Sequence, residues 1–286
     1  MLNALTIDVE DYYHVSAFEP VARFEDWDRY ESRVERNTRR ILDLLEDHQT
    51  RATFFVLGWI AERRPKLIRE IQERGHEVAS HGYSHRRIFT QTPDQFREET
   101  RRSKRILEDI IGRPIIGYRA ASYSITMQSL WALEILVEEG FRYDSSIFPI
   151  FQDRYGIPGY PRFPHRVQVN GGSLMEYPLS TVRIGGINVP IAGGGYLRLF
   201  PYGLTRWGLR GINEREKQPA IVYLHPWEID PDQPRIHGGL LSRFRHYVNL
   251  DGTEAKLISL LKEFKFESLG ALFLGQSSDA ARSRVI

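Results

Sequence analysis

From Ala4 to Asp144, short apolar runs alternate with stretches of helical spacing; the second run stops at Gly58, and the others stop on charged or imidazole side chains. The expected strands are Ala4–Val9, Ala52–Leu57, His76–Ser80, Pro114–Tyr118 and Phe141–Tyr143, with Ala220–Leu224 following much later. Between the early strands Asn37–Asp47, Pro65–Arg74, Pro93–Ile111 and Thr126–Glu139 read as helices. Gly75 and Gly140 stand where a left-handed helix end belongs, and Thr92-Pro93 joins an N-cap to proline at the first helical position. Such alternation argues for an α/β fold built on a parallel sheet or barrel. In a barrel all strand C-terminal ends share one face, and that face carries the active site. Asp8, His81, Arg119, Asp144 and His225 each fall at or just beyond a strand end, so residues far apart in sequence would converge there.

After about Ile147 the pattern changes. Pro158-Gly159, Gly171-Gly172, Gly185-Gly186 and Gly193-Gly194-Gly195 separate short β-like pieces, which predicts hairpins and loops over one end of the barrel at about 147–215. Leu204–Ile212 and Thr253–Lys262 have helical character, Pro231–Arg245 reads as a loop, and the chain from 276 to 286 reads as a flexible tail. The expected division is a barrel over 1–230, an extension over 231–275 packed on it, and the tail. A length of 286 residues suits one α/β barrel. The net charge of +2 gives no electrostatic case for nucleic acid. With no cysteine, metal ligands must be histidines and carboxylates. No signal peptide and no bilayer-length apolar run is visible, so the expectation is a cytoplasmic protein, with peripheral association at the inner face of the membrane left open.

His81 and His85 are spaced to share one face of a helical turn and reach one metal ion. A pair of histidines at this spacing arises by chance in a chain with nine of them; the carboxylates Asp8, Glu10 and Asp11 raise its weight. Asp8 sits inside an apolar strand, where an unpaired carboxylate is costly, and shares a strand face with Glu10. One carboxylate can complete a metal site; another can act as general base. His225 is either a core histidine or a general acid. Asp144 is equally a turn cap or the group that tunes His225. Arg119 is either a surface arginine or the partner that keeps a catalytic carboxylate ionised. Ser122 and Tyr123 follow it on a tight segment whose backbone N–H could face an oxyanion.

Taken in order, Thr6-Ile7-Asp8-Val9-Glu10-Asp11, Ser80-His81-Gly82-Tyr83-Ser84-His85, Tyr118-Arg119-Ala120-Ala121-Ser122-Tyr123, Tyr143-Asp144-Ser145-Ser146 and Tyr223-Leu224-His225-Pro226-Trp227 resemble the motif series of the polysaccharide deacetylase family, carbohydrate esterase family 4 with its NodB-type domain. Asp8–Ser16 and His225–Leu274 are further similar to deacetylases found with bacterial exosortase and exopolysaccharide gene clusters. The resemblance implies a distorted (β/α)7 barrel and metal-dependent hydrolysis of an acetyl group, N-acetyl in first place, on a polysaccharide or its precursor. Carried over, Asp8 is the base, His81 and His85 are ligands of one divalent ion with zinc favoured, and Glu10 or Asp11 is the third ligand. Arg119 pairs with the base, His225 is the acid, and Asp144 completes the catalytic set. Ser122, Tyr123 and Trp227 are the expected oxyanion and substrate residues. The competing expectations are a deformylase or other amidase acting on a lipid- or nucleotide-linked sugar, and a carbohydrate-binding barrel without catalysis.

Overall fold

The computed structural model describes residues 1–152, 155–191 and 193–282, with side chains through residue 275. Its first half alternates as expected: β1 (Leu2–Val9), α1 (Val34–Asp47), β2 (Thr53–Val56), α2 (Gly58–Arg63), α3 (Pro65–Glu73), β3 (Glu77–Ser80), α4 (Pro93–Ile111), β4 (Gly117–Tyr118), α5 (Trp131–Glu138) and β5 (Tyr143–Asp144). The Gly/Pro-rich stretch forms two antiparallel hairpins, β6 (His165–Val169) with β7 (Gly172–Glu176) and β8 (Thr181–Ile184) with β9 (Ile187–Pro190). It continues into α6 (Gly194–Leu199) and α7 (Tyr202–Arg210). The chain closes with β10 (Ile221–Leu224), α8 (Leu240–Tyr247), α9 (Thr253–Glu263), β11 (Lys265–Glu267) and α10 (Leu269–Arg282).

Seven strands run parallel in the order β10-β1-β2-β3-β4-β5-β7, with β6 antiparallel on the outer edge and β11 beside the start of β1. From β10 through β5 the side chains are buried almost throughout, which is why these strands read as continuous apolar runs rather than alternating ones. Helices cover the sheet with one apolar face each, such as Ile41, Leu42 and Leu45 of α1 and Leu67, Ile68 and Ile71 of α3. Helix α4 starts on a reciprocal capping box between Thr92 and Gln95 and ends on left-handed Gly112.

The fold class is α/β as expected, but the ladder does not close into a barrel among the described residues. Just past β7 comes Pro178, which has no N–H to give a ladder. The gap is instead spanned by Ile221 N–H, which donates to Ser180 Oγ (2.7 Å), and by one bridge between Gly193 and Tyr223. Gly193 has φ +130°, and a Cβ there would lie 1.8 Å from the Tyr223 carbonyl oxygen, so only glycine fits.

Two local expectations need correction. Part of the Pro231–Arg245 segment is helical, as α8, because its leucines and Phe244 face outward and leave no core-facing period to read. Helix α10 extends into the segment expected as tail, while residues 283–286 of that segment lie outside the described residues.

The register decides what meets at the strand ends. Val9 pairs with Val56, Val56 with Ser80, Ser80 with Tyr118, and Tyr118 with Asp144. Glu10, His81 and Arg119 are therefore each the first residue past the same row of the sheet.

Candidate metal centre and active site

Glu10 lies between the two histidines. Its Oε1 is 3.0 Å from His81 Nε2 and 3.0 Å from His85 Nε2, with all three residues buried. The histidines do not meet through a helical turn, which corrects the spacing argument. The segment from His81 to Arg87 is irregular, and left-handed Gly82 (φ +74°) and His85 (φ +53°) fold the second imidazole back toward the first. Asp11 does not join this group. Its carboxylate accepts N–H bonds from Arg33 (2.9 Å) and Val34 (3.1 Å), and so caps the start of α1. Burial pushes Asp11 up to about 6 against the pull of those bonds. Neighbours on an extended strand end point to opposite sides, so only one of the two carboxylates can enter the cluster.

The donor set fits a cation. The Arg119 carbonyl lies 2.9 Å from His81 Nδ1 and can only accept, so Nδ1 carries the proton and the lone pair of Nε2 faces the Glu10 carboxylate. Two acceptors at 3.0 Å repel unless a proton or a cation sits between them. His85 Nε2, buried beside the same oxygen, makes no hydrogen bond. Burial acts to raise the Glu10 carboxyl, but the charges of His85 and His225 and the close approach of both imidazoles outweigh that and hold it well below its usual range.

Asp8, the penultimate residue of β1, faces the same space. Arg119 Nη1 donates to its Oδ1 (2.7 Å), and Tyr123 OH donates to its Oδ2 (3.2 Å). Arg119 is wholly buried and fully engaged: it also donates to Thr6 Oγ1, the Ser145 carbonyl and Ser145 Oγ. A buried guanidinium held this tightly fixes the position of the Asp8 carboxylate and aims it. Ser122 and Tyr123 adopt consecutive left-handed conformations (φ +52° and +53°), a strained turn that swings the tyrosine hydroxyl onto Asp8. Tyr123 N–H is taken by the Ala120 carbonyl, which leaves Ser122 N–H as the candidate oxyanion donor of the two.

His225 Nε2 lies 3.9 Å from Asp8 Oδ2 and 3.8 Å from Glu10 Oε1. Asp144 does not reach it. Asp144 accepts from Ser146 Oγ (2.6 Å) and shares a buried site with Glu176, its register partner on β7. Burial pushes both carboxyls up; the Asp144 charge drives Glu176 further, well above its ordinary range, while the hydrogen bond with Glu176 pulls Asp144 partly back. The group that orients His225 is Glu228, whose Oε2 takes both Nδ1 and the backbone N–H of His225 at 3.0 Å. Burial would lower His225, but Glu10, Glu228 and Asp8 outweigh it and raise it to about 9. Glu228 is in turn held by buried Arg198 (2.7 Å). Trp227 lies against His225 (5.2 Å, 23°) and stacks on His246 (4.1 Å, 15°).

Sequence reasoning overlooked Glu228 and Arg198. The N-cap-to-N3 spacing from His225 to Glu228 was a usable signal for the first; nothing local marks the second. The site opens into a cavity of about 1590 Å³, large enough for several sugar rings, with Trp27, Tyr83, Phe151 and Tyr196 in its walls.

Residues 23–137 match the family described as polysaccharide deacetylase, and residues 145–274 match one described as a domain of unknown function (DUF3473). A peptidoglycan-N-acetylglucosamine deacetylase of Bacillus cereus is 36% identical over 75 residues, 26% of this chain and 27% of that protein. A chitooligosaccharide deacetylase of Bradyrhizobium is 32% identical over 95 residues, 33% of this chain and 43% of that protein. The chain thus spans less than half the length of these relatives. The crystal structure of a putative polysaccharide deacetylase from Mycobacterium smegmatis superposes with a TM-score of 0.62 at 20% identity, covering 98% of this chain and 91% of that one, a likeness of fold. Both matched segments furnish the site: His81, His85 and Arg119 come from the first, and His225, Glu228 and Arg198 from the second.

Proposed function

We propose that this chain, which carries a polysaccharide deacetylase domain, is a metal-dependent hydrolase that removes acetyl groups, N-acetyl ones foremost, from a polysaccharide or its sugar precursor. The observation that carries the reading is the convergence of Asp8, Glu10, His81, His85 and His225 in one buried group, with Arg119 locked onto Asp8. Two histidines and one carboxylate favour zinc. When bound, the ion would polarise the acetyl carbonyl and acidify water. The protein's own groups do the rest. Asp8 Oδ2 accepts the proton of the attacking water while Arg119 holds Oδ1. Ser122 N–H faces the developing oxyanion. His225, its Nδ1 anchored on Glu228, delivers a proton from Nε2 to the departing amine.

The relatives' substrates guide the choice of substrate panel: chitooligosaccharide and peptidoglycan, alongside acetylated exopolysaccharide. The exopolysaccharide assignment rests on the likeness of Asp8–Ser16 and of the C-terminal segment to deacetylases of such gene clusters. No helix among the described residues is long and apolar enough to cross a membrane. Purified protein should release acetate from at least one of these substrates, lose the activity to a chelator and regain it with zinc. Absence of acetate across the panel with every divalent ion tested would sink the proposal, and formate in its place would assign a deformylase.

A further inference from the structure

Helix α8 turns its large apolar side chains to solvent. Leu240 is 83% exposed, and Leu241 and Phe244 are each 57% exposed. An amphipathic helix ordinarily spends such residues on the core. Here the helix is seated by other means. His246 is buried between Trp227 and Phe18, and the Arg198 guanidinium takes the carbonyls of Arg245, His246 and Val248 at its end. The outward face is therefore held in place, and it continues into the N-terminal loop. Phe18 packs on His246 and Tyr247, and just beyond it Val21 and Phe24 are exposed at 47% and 40%. Phe24, Phe244 and Arg245 line the cavity that leads to His225.

Helix α8 and the segment leading into it carry charge of one sign, while the adjoining loop carries exposed Glu19 and Glu25. From Gln233 to Leu250 the chain contains Arg235, Arg243 and Arg245 and no aspartate or glutamate. All three arginines are exposed, and Arg235 lies over the Tyr247 ring at 4.2 Å. None of them enters an ion pair among the described residues. Apolar side chains flanked by unpaired arginines are the composition of a helix that lies in a lipid–water interface.

We infer that the α8 face docks on an anionic lipid surface, with Leu240, Leu241 and Phe244 entering the headgroup–acyl boundary and the arginines meeting lipid phosphates. A second copy of the chain suits the face less well, because a two-fold contact sets a patch against itself and would bring arginines onto arginines. The inference does not depend on the deacetylase reading. It adds that the mouth of the cavity would open beside the bilayer, where a membrane-tethered glycan is presented.

The test is co-sedimentation of the full chain with phosphatidylglycerol vesicles and with phosphatidylcholine vesicles. The parent should bind the anionic vesicles, only weakly the neutral ones, and release on added salt. Each arginine near an anionic surface contributes roughly a fivefold gain in partition, so Arg235→Gln/Arg243→Gln/Arg245→Gln should bind about a hundredfold more weakly. Leu240→Ser/Leu241→Ser/Phe244→Ser should lose binding as well, with thermal melting showing both variants folded. The inference is overturned by equal binding of parent and variants, by binding that ignores lipid charge, or by no binding to either vesicle. Concentration-dependent self-association lost in the serine variant would give the face to a second copy instead.

Discussion

Exchanging the two adjacent carboxylates separates their roles. The Asp11 carboxylate accepts the N–H groups of Arg33, Val34 and Tyr12, all at or near the buried start of α1. Asp11→Ala leaves these donors without partners. An N-cap is worth about 1–2 kcal/mol, and each further stranded buried donor adds about 1 kcal/mol or more, so the expected loss is about 3 kcal/mol. Unfolding entropy of about 2.1 cal/mol/K per residue makes that a fall of about 5 °C in Tm for a chain of 286 residues. Asp11→Asn, which keeps one acceptor oxygen, should lose less. Neither change should alter bound metal, because Asp11 faces away from the histidines. Glu10→Gln should do the reverse, with zinc affinity falling by more than the roughly 100-fold typical of losing a group behind the ligands, and thermal stability without metal little changed. The measurements are calorimetry in chelator and zinc titration with a competing indicator. A folded Asp11→Asn protein that fails to bind zinc, beside a Glu10→Gln protein that binds it normally, would refute the assignment.

Glu228→Gln should lower kcat about tenfold or more with little change in KM, since the fully buried Glu228 acts by anchoring His225; a KM effect alone would count against that role. Arg119→Met should destabilise by about 3–5 kcal/mol, because Asp8 is left as an unpaired buried charge; adding Asp8→Asn should restore part of the stability and none of the activity, read by chemical denaturation and acetate release. The Asp144–Glu176 pair should make stability fall as pH rises. Its carboxyls are raised in the folded state, so the folded chain keeps a proton that the unfolded chain gives up above about pH 4, and the benefit is lost as pH climbs through the folded value. Glu176→Gln should flatten that slope in denaturant titrations at a series of pH values; an unchanged slope would contradict it.

Joining the two matched segments in one site has a consequence for the segment of unknown function. Its His225 faces Asp8 and Glu10, and its Arg198 and Glu228 fix that histidine. A truncation after residue 144 would remove the proposed acid together with the strand β10 that pairs with β1. The segment is thus structurally continuous with the sheet that carries Asp8.

Much of this was legible in the chain itself. Parallel strands buried on both faces must be apolar throughout, so Asp8 in β1 and the polar residues after β3, β4 and β10 stood out as exceptions, and the N-cap Thr92 before Pro93 marked where α4 begins. What the sequence could not decide was geometry set by partners distant in the chain. Glu10 and Asp11 differ by one step along an extended backbone, and only the packing of α1 against the end of β1 turns one to the cap and the other to the histidines. His81 and His85 looked helical by spacing, yet two left-handed residues bring them together. By sequence Asp144 is the candidate partner for His225, but the register sets it beside Glu176, far along the chain, and leaves His225 to Glu228. Local rules act over a few residues and can be read from the chain; the side on which a carboxylate ends up depends on what packs against it, and that is settled only when the sheet is assembled.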